Sequence, residues 1–154
     1  MVDFNILIVY YGGMEINFNA DKLAGAAKKF SLKFVILHGS FATGLARKDS
    51  DFDIAVLGRK DVSFKQLLEL DRALPGVFNF PPNMDLDLKA LNKVDPLFRH
   101  EVVRDGKLLY GDPVEYEEYK AFTERAYEDA RPLLDLEEHL VKKFQVHLNS
   151  LYAQ

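Results

Sequence analysis

The sequence predicts an α+β fold: a small mixed β-sheet with helices on one face, followed by a C-terminal helix or helix pair. Three observations predict it. A continuous apolar run, Phe34-Val35-Ile36-Leu37, stops at a glycine-serine turn, and a second run, Ile54-Ala55-Val56-Leu57, resumes after two aspartates. Met84-Asp85-Leu86-Asp87-Leu88 alternates apolar and acidic residues, the pattern of a strand with one acidic face. Tyr116 to Tyr152 then runs without a glycine, as a long helix or helix pair kinked at Pro132 would.

The elements follow in order. Phe4 to Tyr11 is β-branched and aromatic, which predicts a strand, and Gly12-Gly13 with Met14 to Phe18 completes a hairpin. Asn19 or Asp21 can cap a helix over Lys22 to Phe30, where Leu23, Ala26, Ala27 and Phe30 share one side. The run at Phe34 reads as a buried strand. Ser63 caps a second helix that Pro75-Gly76 ends. Asn79 to Asn83 is a proline-containing loop. Asp95 and Pro96 supply the cap and first turn of a helix to Arg104, and Lys107 to Tyr110 closes the core. The expected division is residues 1–112, a core with an N-terminal hairpin extension, and 113–154, a helical segment packed on it.

At 154 residues the chain fits one domain, and its net charge of −4 argues against a non-specific nucleic-acid binder. Cysteine is absent, which excludes disulfides, thiolate catalysis and Cys-based zinc sites. The first apolar run is too short to span a membrane and lacks the basic leader and cleavage site of a signal peptide, so a cytoplasmic location is expected.

The chemistry concentrates in His38-Gly39-Ser40-Phe41-Ala42-Thr43-Gly44 and the following Ser50-Asp51-Phe52-Asp53. Backbone N–H groups in a glycine-rich turn can approach a phosphate chain closely. Two carboxylates one residue apart on a strand point to one face and can share a divalent metal. Placed about 4 Å apart, such charges repel by roughly 1 kcal/mol in water and about 4 kcal/mol at an effective dielectric of 20. A cation relieves that repulsion, and oxygen-only ligands select Mg²⁺ or Mn²⁺ over zinc. Asp85 and Asp87 both stand on the face where a third carboxylate would be needed; an exposed edge-strand charge is the other reading of either. Arg47 and Lys48 lie where they can touch a triphosphate. His38 reads as a packed histidine. Arg99-His100-Glu101 and His139 have no partners at useful spacing, and Tyr116, Tyr119 and Tyr127 recur as packing residues.

The pattern G-S-x-A-x-G-x(5)-S-D-x-D resembles the signature of the DNA-polymerase-β-like nucleotidyltransferases, specifically the minimal nucleotidyltransferases. The resemblance covers roughly Phe30 to Gly111. That branch often carries Arg where this chain has Thr43. The resemblance implies the nucleotidyltransferase core, with two Mg²⁺ ions on Asp51, Asp53 and Asp87 as catalytic and metal-binding residues; the register back from Asp95-Pro96 and Asp105-Gly106-Lys107-Leu108-Leu109-Tyr110 selects Asp87. It implies Gly39, Ser40, Gly44 and Ser50 as the nucleotide-binding set and ATP as substrate. It further implies an antitoxin role: AMP added to a tyrosine of a HEPN-domain toxin encoded nearby. Two other functions fit the residues, a module that neutralises its partner by contact and a transferase acting on a small hydroxylated molecule. A homodimer is compatible with either.

Overall fold

The computed structural model describes residues 6–11, 14–47, 49–80 and 84–152. Phe4, Asn5, the Gly12-Gly13 turn, Lys48 and Pro81 to Asn83 lie outside them. An antiparallel pair, β1 (Ile6–Tyr11) and β2 (Met14–Asn19), leads into α1 (Ala20–Lys29). Asn19 is the cap of α1, its side chain accepting from the Lys22 N–H. The central sheet has four strands in the order β5-β4-β3-β6. β3 (Leu32–Leu37) runs antiparallel to both β4 (Phe52–Gly58) and β6 (Lys107–Tyr110), whereas β5 (Leu86–Ala90) runs parallel to β4. The sheet is therefore mixed, as the sequence predicts.

Between these strands stand α2 (Gly39–Thr43), α3 (Phe64–Ala73) with a 3-10 turn at Leu74–Gly76, and α4 (Pro96–Asp105), and α5 (Pro113–Tyr152) follows β6. Ser63 and Gln66 form a capping box at α3, and Asp95 caps α4 ahead of Pro96. Asp112 caps α5, its Oδ1 accepting from the Glu115 N–H at 2.9 Å.

The sheet is covered on both faces, not one. Val35, Leu37, Phe52, Ile54 and Val56 point into a core with Leu23, Ala27 and Phe41 of the first two helices and Leu70 of α3. Phe34, Ile36 and Ala55 point the other way, to Val102 and Val103 of α4 and Tyr116 of α5. The period-two alternation within β3 and β4 divides these sets. A continuous apolar run such as Phe34 to Leu37 has this cause: both of its faces are buried. The third core strand starts two residues later than its acidic alternation suggests, because Met84 and Asp85 precede the ladder. The C-terminal segment is one helix, continuous through Pro132.

Candidate active site

β3 delivers the chain to the turn. The His38 N–H donates to the Asp53 carbonyl at 3.0 Å, so the turn and the second aspartate are tied by backbone. Gly39 then adopts φ +68° and opens the single helical turn of α2, which Gly44 closes in the left-handed region at φ 77°. Gly39 is required here twice over. Its φ is one that L side chains rarely adopt, and a Cβ on it would lie 2.2 Å from Asp53 Oδ2. The glycine-serine turn is thus packed onto a carboxylate. Ser40 follows, half-buried, with the free N–H groups that open any helix. Thr43 Oγ1 donates back to the carbonyls of Gly39 at 3.2 Å and Ser40 at 3.3 Å, so its hydroxyl is engaged within the turn.

The loop from Gly44 to the aspartates is closed by Ser50. Its Oγ accepts from the Arg47 N–H at 2.8 Å, and its own N–H donates to the Arg47 carbonyl at 3.1 Å. Asp51 is exposed and lies just ahead of β4, which begins at Phe52. Phe52 separates the two aspartates and is buried among three other rings, with centroids of Phe41, Phe78 and Phe80 at 5.3, 5.1 and 5.0 Å. A buried Phe in such a cluster contributes about 3–5 kcal/mol by truncation. It fixes the strand start from which Asp53 projects to the opposite face.

Asp87 stands directly across from Asp53: the two are register partners on parallel β4 and β5. Burial first, then the charges of Asp87 and Asp51, raise the Asp53 carboxyl above its ordinary value, with Lys89 opposing. Both carboxylates the sequence proposes as its companions therefore act on Asp53. Asp85 does not join them. It is exposed, its carbonyl accepts from the Phe52 N–H at 2.8 Å, and it borders a separate depression with Asp71, Pro75 and Phe80. His38 is driven below its ordinary value by burial, against the pull of Asp87, and its ring packs edge-on to Phe98 with centroids 6.1 Å apart. On the α4 side of Gly39 a cavity of about 280 Å³ is lined by His38, Thr43, Phe98, Glu101 and Arg104.

Two residues bear on β4 and β5 without having been singled out from the sequence. Lys89 Nζ pairs with Asp87 Oδ1 at 2.9 Å, placing a cation on the acidic face two residues along β5. The strand period carries this signal, since residues two apart share a face. Asn92 holds the far ends of β4 and β5 together. Its Nδ2 donates to the carbonyls of Gly58 at 3.0 Å and Lys60 at 3.2 Å, and its Oδ1 accepts from the Gly58 N–H at 3.0 Å. His100 also gains partners that its local sequence does not reveal: Glu124 at 3.2 Å and a stacked Tyr127 ring at 4.4 Å, both from α5.

The donor chemistry fits a hard divalent cation. All three carboxylates are oxygen donors, and burial together with the charges of Asp87 and Asp51 outweighs Lys89 in raising the Asp53 carboxyl. The set is not assembled as a cage: among the described residues no three His, Asp or Glu side chains are close enough to hold a metal ion. Asp87 would have to turn from Lys89 to join Asp53 and Asp51.

The family model "Polymerase beta, Nucleotidyltransferase" matches residues 21–114, from α1 to the start of α5. A protein adenylyltransferase MntA of Aphanizomenon flos-aquae (strain 2012/KM1/D3) is 36% identical over 100 residues, which is 61% of this chain and 65% of that relative. A solved toxin–antitoxin with AMP-PNP superposes with a TM-score of 0.56 at 24% identity, covering 86% of this chain and 98% of its own. An MNT antitoxin solved with tri-AMPylated Shewanella oneidensis HEPN toxin gives a TM-score of 0.50 at 22% identity, covering 86% of this chain and 94% of its own. At those identities the structures establish a shared fold. The family match spans the turn, both aspartates, β5 and the closing strand β6, and on that match the chain belongs to the polymerase beta nucleotidyltransferase family.

Proposed function

We propose that this chain transfers AMP from ATP to a hydroxyl acceptor, and that the acceptor is a tyrosine of a HEPN-domain partner whose toxicity the transfer silences. The observation that carries this reading is the contact between Gly39 and Asp53. It places a glycine-serine turn against a carboxylate whose in-register neighbour is Asp87. The names of the relatives support the donor and the partner, since they include a protein adenylyltransferase, an AMP-PNP complex and an AMPylated HEPN toxin.

In this reading the N–H groups of the Gly39-Ser40 turn cradle the β and γ phosphates, and Gly44 lets the backbone approach them. Asp51, Asp53 and Asp87 would hold Mg²⁺, which when bound supplies neutralisation of the triphosphate charge. Asp87 takes the acceptor's proton. The acceptor oxygen bonds to the α-phosphorus, the bond to the β-phosphate oxygen breaks, and pyrophosphate leaves. Rate enhancement comes from positioning and from charge fixed before the reaction begins.

A second reading has one observation in its favour. Asp87 is engaged by Lys89, and a chain that leaves it so engaged would neutralise a partner by contact alone. Incubating the protein with α-labelled ATP, Mg²⁺ and the product of the adjacent gene separates the two. Label on the partner's tyrosine supports transfer; a stable complex without label supports contact alone.

A further inference from the structure

The glycine-serine turn meets a ligand with backbone N–H groups and little else. Thr43, at its far end, has its hydroxyl engaged by the carbonyls of Gly39 and Ser40. Hydrogen bonds from a guanidinium to a phosphate are roughly twice as strong as neutral ones, so a triphosphate on this turn is held far better with an arginine beside it. The cavity of about 280 Å³ next to Gly39 has such a residue in its wall. Among the described residues that line it, Arg104 carries the one permanent positive charge.

Arg104 is mounted on a fixed platform. It stands in the last turn of α4, after the buried Val102 and Val103. Gly106 follows, packed so closely on Ile36 of β3 that no Cβ fits there. Asp105 then orients the guanidinium plane: Nε donates to both of its carboxylate oxygens at 3.1 Å, and Nη2 donates to Oδ2 at 2.6 Å. That pairing uses one edge of the fork and leaves the Nη1 donors over. The pair is also exposed, at 57% and 41%, and exposed pairs of this kind are weak. Asp105 therefore aims the cation and holds it loosely enough for a second oxygen ligand to bind.

Two other groups bear on the same space. His38 lines the cavity, and its buried Nε2 has no hydrogen-bond partner among the described residues. As an N–H that nitrogen would serve a ligand oxygen. Glu101 also lines the cavity, and its charge opposes an anion there. We propose that Arg104 reaches from α4 to the β and γ phosphates of the bound nucleoside triphosphate, so that it distinguishes a triphosphate from a monophosphate. This rests on the reading above that those phosphates lie on the Gly39-Ser40 turn.

Equilibrium dialysis in Mg²⁺ with α,β-methylene-ATP, which cannot transfer AMP, and with AMP tests this without an acceptor. Arg104→Ala should weaken the triphosphate analogue about tenfold or more and leave AMP within about twofold. Glu101→Gln should tighten the analogue several-fold. Arg104→Ala also strips Asp105 of its partner, so the Arg104→Ala, Asp105→Asn double variant separates a lost phosphate contact from an unmasked carboxylate. The double variant should still bind the analogue well below wild type. Wild-type affinity in the double variant overturns the proposal, and so does an equal loss for AMP in Arg104→Ala. Wild type that binds the analogue, with Arg104→Ala unchanged, overturns the assignment of Arg104 alone. Wild type that binds neither nucleotide overturns the transferase reading together with it.

Discussion

Asp53 of β4 and Asp87 of β5 face each other as register partners on adjacent parallel strands, and burial, then the negative charge of Asp87, raises the proton affinity of Asp53. The pair sits on the sheet face opposite Phe52 and Ile54, beside the Gly39 turn.

The turn depends on a missing side chain. Gly39→Ala would force a methyl to within 2.2 Å of Asp53 Oδ2 at a φ of +68°. The variant should remain folded at a cost of about 1–3 kcal/mol. Transfer should fall by about a hundredfold or more, since small misplacements in positioning catalysis have effects of that size. Gly25→Ala, where a Cβ meets nothing within 4 Å, serves as the control and should gain about 0.5–1 kcal/mol in α1. Thermal melts and initial rates on both proteins check this.

The raised Asp53 carboxyl is a stability statement. Its folded value lies above its unfolded value, so in the metal-free protein this group favours the native state in acid. The advantage disappears as pH rises through the raised value, and at neutral pH the repulsion from Asp87 and Asp51 is fully present. Asp53→Asn should therefore raise metal-free stability at neutral pH by about 1 kcal/mol or less after solvent screening. That gain should vanish below the ordinary aspartate range. Chemical denaturation in EDTA at acid and neutral pH reads both limbs.

Lys89 competes for Asp87. Replacing it with Met removes the cation held at 2.9 Å and leaves Asp53 and Asp87 to a divalent ion. The Mg²⁺ concentration for half-maximal transfer should drop several-fold, the scale of one exposed charge pair at about 1 kcal/mol. Metal titrations of transfer rate by wild type and Lys89→Met measure it.

Phe52 anchors the strand start between the two aspartates. Phe52→Leu keeps an apolar side chain but loses contact with three rings. It should cost about 1–3 kcal/mol and lower kcat more than it raises KM for ATP. Steady-state kinetics against ATP separates the two constants.

Much of this site was legible before the fold was known, and the reason is its locality. The Gly-Ser turn, the aspartates and the caps at Asn19, Ser63 and Asp95 are each written within a few consecutive residues, where turn and capping chemistry acts. The register that sets Asp87 rather than Asp85 against Asp53 is not local, because parallel β4 and β5 pair across the whole of α3. Lys89 and Asn92 become visible only once that pairing is known. Both faces of the sheet are covered because α4 and α5 return to the side opposite the first three helices, which no short window specifies. Pro132 illustrates the reverse case. A proline in a helical pattern suggests a break, yet α5 continues through it.

The proposed transfer requires Asp51 and Asp53 to act together beside the turn. The direct measurement compares wild type with the Asp51→Asn, Asp53→Asn double variant for transfer of labelled AMP from ATP to the partner in Mg²⁺. Circular dichroism and melting temperature establish that both proteins are folded. Wild type should give labelled partner and released pyrophosphate, and a fully folded double variant should give neither. Transfer at the wild-type rate by the double variant would contradict that requirement.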